Sequence, residues 1–138
     1  MNMAEVVVNW LAVLAASVVG FGVGGLWYGP LFGDAWMRSL GWDPAVVKAQ
    51  PKKGMRQLFT IVFLLQWVMA VCLAFFIGNE PDAMMGAFYG FLTGLPWVAG
   101  ALAVNALFEG KPASYIYLNG AYWTISFTLM GLIIGWWQ

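Results

Sequence analysis

The stretch GFGVGGLWYG, residues 20–29, admits two incompatible readings. Gly20, Gly22 and Gly25 spell G-x-G-x-x-G, the fingerprint of a dinucleotide-binding turn. Gly20 with Gly24, and Gly25 with Gly29, spell G-x-x-x-G, the spacing that lets membrane helices approach closely. The nucleotide reading needs a strand before the glycines and a βαβ unit around them. Asp43 does lie downstream, where a ribose-binding acid is expected, but no second strand pattern stands behind it. About 20 mostly apolar residues precede the glycines, enough for a membrane helix that runs through them. The glycines are therefore read as a helix-packing face.

The composition agrees. Of 138 residues, 62% are hydrophobic, 17% aromatic and 9% charged. A soluble domain carries roughly 25% charged residues to face water, so lipid must solvate much of this chain. Formal net charge is zero, and nothing points to a nucleic-acid partner. There is no histidine, which removes the usual general base and the commonest metal ligand. The single cysteine, Cys72, allows no intramolecular disulfide and no thiolate cluster. It sits in the apolar run VMAVCLAFF and reads as a small buried or lipid-facing side chain.

Four segments are long and apolar enough to span a bilayer, at about residues 5–28, 58–78, 83–108 and 114–137. The expected fold is all-α: a four-transmembrane-helix bundle forming one membrane domain over residues 1–138. The N-terminus reads as the first span and not as a cleavable signal, because no Lys or Arg precedes the apolar run. Arg38, Lys48, Lys52, Lys53 and Arg56 lie between the first and second spans, and Lys111 lies between the third and fourth. The link NEPDA, residues 79–83, has two acids and no base. The positive-inside rule then makes 29–57 a cytoplasmic loop and puts both termini outside.

Within that loop, Leu31, Phe32, Ala35, Trp36 and Leu40 recur at helical spacing, opposite Asp34 and Arg38. This predicts a short helix in the headgroup region. Asp43-Pro44 predicts an N-cap and a proline at the first helical position, with Pro51 as the stop. Lys48, Lys52, Lys53 and Arg56 are candidates for lipid headgroup contact, or act only to fix orientation.

Small residues recur along every span: Gly20 and Gly24; Ala70, Ala74 and Gly78; Gly86, Gly90 and Gly94; Gly131 and Gly135. Steps of three and four place polar residues on the same faces. Asn9 leads to Ala16, Gly20 and Gly24, and Gln66 to Ala70. Gly94, Trp97, Ala101 and Asn105 make one stripe, and Tyr115, Asn119, Tyr122 and Ser126 another. Gln66, Asn105, Asn119 and Tyr122 form a candidate polar pocket, or serve only as interhelical hydrogen-bonding groups. Pro96 predicts a bend in the third span, freeing the Leu92 carbonyl, with Thr93 as its candidate partner. Trp67, Trp97 and Trp123 lie deep enough to be pocket walls. The other tryptophans fit aromatic belts.

The absences narrow the function. No ionisable group lies at mid-depth to couple transport to protons. Asp34, Asp43 and Glu109 are too scattered for a carboxylate pair. The expectation is a protein with no catalytic residues, no metal and no cofactor.

Trp27, Tyr28, Pro30, Phe32, Gly33 and Trp36 form the pattern Trp-Tyr-x-Pro-x-Phe-Gly-x-x-Trp. On this motif, its length and its four-span layout, the chain resembles the domain of unknown function 1761 family. The resemblance implies a multi-pass protein of the bacterial cytoplasmic (inner) membrane and brings no established activity. Read from its residues, the motif is a helix exit, with Pro30 disfavouring helical geometry at Gly29. The alternative is a ligand site. The expected function is non-enzymatic: helix association in the membrane lipid, as a homo-oligomer or as an accessory subunit with other membrane proteins. The alternative is a small transporter or channel with a polar pocket open to the cytoplasm.

Overall fold

The computed structural model describes residues 5–79 and 82–137. Residues 1–4, Glu80, Pro81 and Gln138, on which the orientation reading partly drew, lie outside the described residues. Four long helices run over Trp10–Leu31, Met55–Ile77, Ala83–Phe108 and Ala113–Trp136, each apolar enough to cross a membrane. Among the described residues there is no strand. Half of the fourth helix's apolar window is buried, against 17–28% in the other three. The fourth helix is therefore the axis on which the first and third pack from different sides, while the second leans on the first.

The first helix begins at Trp10, later than the expected position 5. Asn9 caps it, its Oδ1 accepting from Ala12 N at 3.1 Å. The preceding valines are β-branched and favour extended backbone. Asn79, at the end of the second helix, holds that extended segment by accepting from Val7 N and donating to Glu5 O. At its other end the first helix does not stop at Tyr28. It loosens at Gly29 (φ −106°, ψ −106°) and runs on through a wide, π-type turn over Trp27–Leu31.

A short helix, Gly33–Ser39, follows that turn, and a second occupies Pro44–Ala49. Asp43 caps the second, accepting from Ala45 N at 3.0 Å. Lys48 reaches back to Asp34 at 2.7 Å. Its hydrogen bond holds the Asp34 carboxyl below the usual carboxylate range. Lys48 thus has a carboxylate partner, while Lys52 and Lys53, ahead of the second helix, and Arg56, in its first turn, stand exposed.

An apolar core fills the half of the bundle away from these loops. It is built from Val13 and Ala16, from Ala70, Leu73, Ala74 and Ile77, and from Phe127, Met130 and Ile134. Beside it the third and fourth helices meet backbone to backbone. A Cβ added to Gly86 or Gly90 would land on the carbonyl oxygen of Gly131 or Phe127. One added to Gly94 would lie 2.7 Å from Trp123 O. These glycine faces join helices of the same chain.

Below Gly94 the third helix changes phase. Residues Thr93–Ala99 form wide π-type turns around Pro96. Proline has no N–H to complete an ordinary turn, and a wide turn accommodates an extra residue. The extra residue rotates the remainder of the helix by about one residue's worth, ~100°. Val98, Ala99, Leu102 and Ala106 turn inward, and the expected stripe of Trp97, Ala101 and Asn105 turns outward. Asn105 is exposed and takes no part in any polar pocket. Thr93 donates to Tyr89 O at 2.9 Å, not to Leu92. Trp97 is 63% exposed, and its ring meets that of Phe76 in a T-shaped contact at 5.9 Å. Cys72 is exposed on the outer face of the second helix.

Candidate functional site

Where the first, second and fourth helices cross, a polar cluster replaces the apolar core. Its centre is Tyr122. The Tyr122 hydroxyl accepts from Gln66 Nε2 at 2.7 Å and donates to Gly20 O at 3.0 Å. Missing side chains make room for it. A Cβ on Gly24 would lie 3.0 Å from the Tyr122 hydroxyl and against its ring. One on Gly20 would lie 2.8 Å from Gln66 Oε1 and 3.1 Å from Ser126 Oγ. Gly22 and Gly25 face open space. The glycines that opened the sequence reading therefore cradle a tyrosine and a glutamine, and no phosphate turn exists there.

A second node lies nearer the loops. Tyr28 donates to Asn119 Oδ1 at 2.6 Å, and Asn119 Nδ2 donates to Tyr115 O at 2.8 Å. Trp27 Nε1 donates to Leu118 O at 3.0 Å. The rings of Tyr28 and Tyr122 meet edge to face at 5.2 Å and join the two nodes. Trp36 packs on Tyr28, Trp42 on Trp36, and Phe32 on Trp27. Gly33 comes so close to the end of the first helix that a Cβ would sit 2.7 Å from Tyr28 O. The Trp-Tyr-x-Pro-x-Phe-Gly-x-x-Trp segment is thus a clasp that ties the first helix and the short helix to the fourth.

Three of the four expected pocket residues come together and one does not. Gln66, Asn119 and Tyr122 are at most 8% exposed, so they form a closed knot and not an open pocket. Asn105 is elsewhere. The missing member was Tyr28, which reads in sequence only as part of the helix exit. The signal that it faces inward is its spacing of eight residues from Gly20 and four from Gly24, on the same helical face. Gln66 Oε1 is the one buried side-chain acceptor without a hydrogen-bond partner among the described residues. It lies 2.8 Å from the point that a Cβ on Gly20 would occupy.

Chemically the cluster offers phenols, carboxamides and a hydroxyl, with no charged group. Such groups donate and accept hydrogen bonds and fix helix register. Among the described residues no three His, Cys, Asp or Glu side chains gather to hold a metal.

A family described as protein of unknown function (DUF1761) matches residues 11–135. No curated protein and no solved structure matches the chain.

Proposed function

Because the chain belongs to that DUF1761 family and inherits no activity from it, we propose a function from its surface: non-enzymatic association within the membrane. The carrying observation is the stripe that the wide turn swings outward. Trp97 holds its indole N–H near the middle of the third helix, without a hydrogen-bond partner among the described residues. Hydrocarbon cannot satisfy that donor. Ala101 and Asn105 follow at steps of four, a small residue and a carboxamide on the same outward face. A small residue between two hydrogen-bonding groups is the face that another membrane helix takes. The partner is a second copy or a larger complex to which this chain is an accessory subunit. All six basic residues lie toward one end of the bundle. This supports insertion in a bacterial cytoplasmic membrane with that end inside and both termini outside.

Native mass spectrometry of the gently extracted protein tests the reading. The wild type is expected as an oligomer or with stoichiometric partners, and Ala101→Leu or the pair Trp97→Leu and Asn105→Leu as a monomer of unchanged helix content. An unaltered mass distribution in those variants removes the proposal.

One observation favours the transporter reading as a second possibility: the orphaned, buried Gln66 Oε1. In that case Gln66→Leu and Asn119→Leu abolish solute flux while the assembly persists. Flux unchanged for every tested solute rejects it.

A further inference from the structure

The clasp fixes the depth of the first loop. Tyr28 meets Asn119, six residues into the fourth helix, which begins at Ala113. That contact lies about 9 Å from the helix start, at ~1.5 Å per residue. Trp36 packs on Tyr28 at 5.2 Å, and the short helix Gly33–Ser39 lies against the fourth helix. The short helix therefore runs beside the first turns of the fourth and not beyond its end. Trp42 on Trp36, at 5.7 Å, and Lys48 on Asp34, at 2.7 Å, tie the helix Pro44–Ala49 to its flank. The end of a spanning helix lies in the polar layer of a bilayer, ~5–7 Å deep on each side of the hydrocarbon. Both short helices are thus held at the depth of lipid headgroups.

What the loop leaves exposed at that depth is of two kinds. Leu31, Trp42 and Val46 are apolar and exposed. Residues 29–57 also carry five bases against two acids. Of the acids, Asp34 is paired with Lys48, and Asp43 caps the helix Pro44–Ala49. Lys52, Lys53 and Arg56 are exposed and have no ion pair among the described residues. Bases beside exposed Trp, Leu and Val make the composition of a segment that lies in a membrane surface. The apolar side chains would accept any lipid. The unpaired bases favour an anionic one, by about fivefold in local partition for each base.

We propose that the first loop docks on the anionic headgroups of the bilayer around the bundle, with Lys52, Lys53 and Arg56 on the phosphates and Trp42 and Val46 at the edge of the hydrocarbon. Depth and charge together name the lipid surface as the occupant. The proposal rests on the four helices spanning a bilayer. It does not rest on the Trp97–Asn105 stripe, so either proposal can fail alone.

The test uses the full chain carrying Cys72→Ala, with a nitroxide on Val46→Cys, in nanodiscs of dioleoyl phosphatidylglycerol or dioleoyl phosphatidylcholine. Collisional relaxation of the label reads its depth. In phosphatidylglycerol the label is expected to be shielded from a neutral aqueous nickel chelate and open to dissolved oxygen. In phosphatidylcholine its exposure to the chelate should rise at least about fivefold, the worth of one base near an anionic surface. The triple change Lys52→Gln, Lys53→Gln and Arg56→Gln should give the phosphatidylcholine result in phosphatidylglycerol, with helix content unchanged. So should the unaltered bases in about 1 M salt, where the Debye length is ~3 Å, a readout that needs no further substitution. Equal exposure in the two lipids overturns the proposal. A label shielded in both would show that apolar contact alone covers the loop, and one exposed to the chelate in both would leave that face to another protein.

Discussion

Gly90→Ala is expected to cost roughly 3 kcal/mol or more, because the added methyl lands on a backbone carbonyl that no rotamer change can move. The carbonyl is that of Phe127 in the fourth helix, and Thr128 Cα is only 3.0 Å from the same point. The helices must separate, and the contact that anchors the third helix is lost along its length. Gly86, one turn away, meets Gly131 in the same manner, so the damage spreads through both helices. Gly22→Ala is the control. Nothing lies within 4 Å of its Cβ position, and alanine is the better helix former, so that variant should be neutral or slightly more stable. Equilibrium unfolding in detergent micelles, followed by circular dichroism, measures both. A Gly90→Ala protein as stable as the wild type would mean that the two helices do not meet there.

Tyr122→Phe should be the second most damaging change, at about 2 kcal/mol, for a different reason. Among the described residues, the hydroxyl is the only hydrogen-bond partner of a carboxamide that is 2% exposed. Without it Gln66 keeps neither a satisfied donor nor a satisfied acceptor, and a buried polar group left unpaired costs ~1–3 kcal/mol. An ordinary interhelical hydrogen bond in a membrane is worth only ~0.6 kcal/mol on average, so most of the expected loss is the orphaned amide. Gln66→Leu alone should therefore cost less than ~1 kcal/mol, since it removes the amide and Tyr122 still donates to Gly20. The pair Gln66→Leu with Tyr122→Phe should be more stable than Tyr122→Phe alone, a sign of strong coupling between neighbours. Unfolding free energies for the four proteins decide this. Simple additivity would show that the amide is not stranded by loss of the phenol.

The long helices and the cap at Asp43 were legible because each depends on local chemistry. Hydrophobic runs of bilayer length and capping side chains act within a few residues of where they stand. The start of the first helix was misplaced because apolarity continues through Val6, Val7 and Val8 while helical backbone does not. Asn9 caps the helix at the point where the two part. The candidate site was half legible. Gln66, Asn119 and Tyr122 lie on faces that simple steps of three and four identify. Tyr28 was hidden because an aromatic near a helix end has an equally good reading as part of the helix exit. Asn105 was misassigned because the steps were carried straight through Pro96.

By itself, the sequence determined that this chain is four apolar helices with small faces, a polar set without charge, and basic residues gathered toward one end. Those properties follow from composition and period, which need no neighbour. Only the tertiary structure decided which faces meet. The glycines of the third and fourth helices serve the chain's own packing, because their backbones lie in contact. Gly20 and Gly24 receive Gln66 and Tyr122, because a crossing helix brings those side chains to them. The wide turn at Pro96 decided what stays outside. A turn that gains one residue rotates everything after it, and no count of steps along an ideal helix contains that rotation.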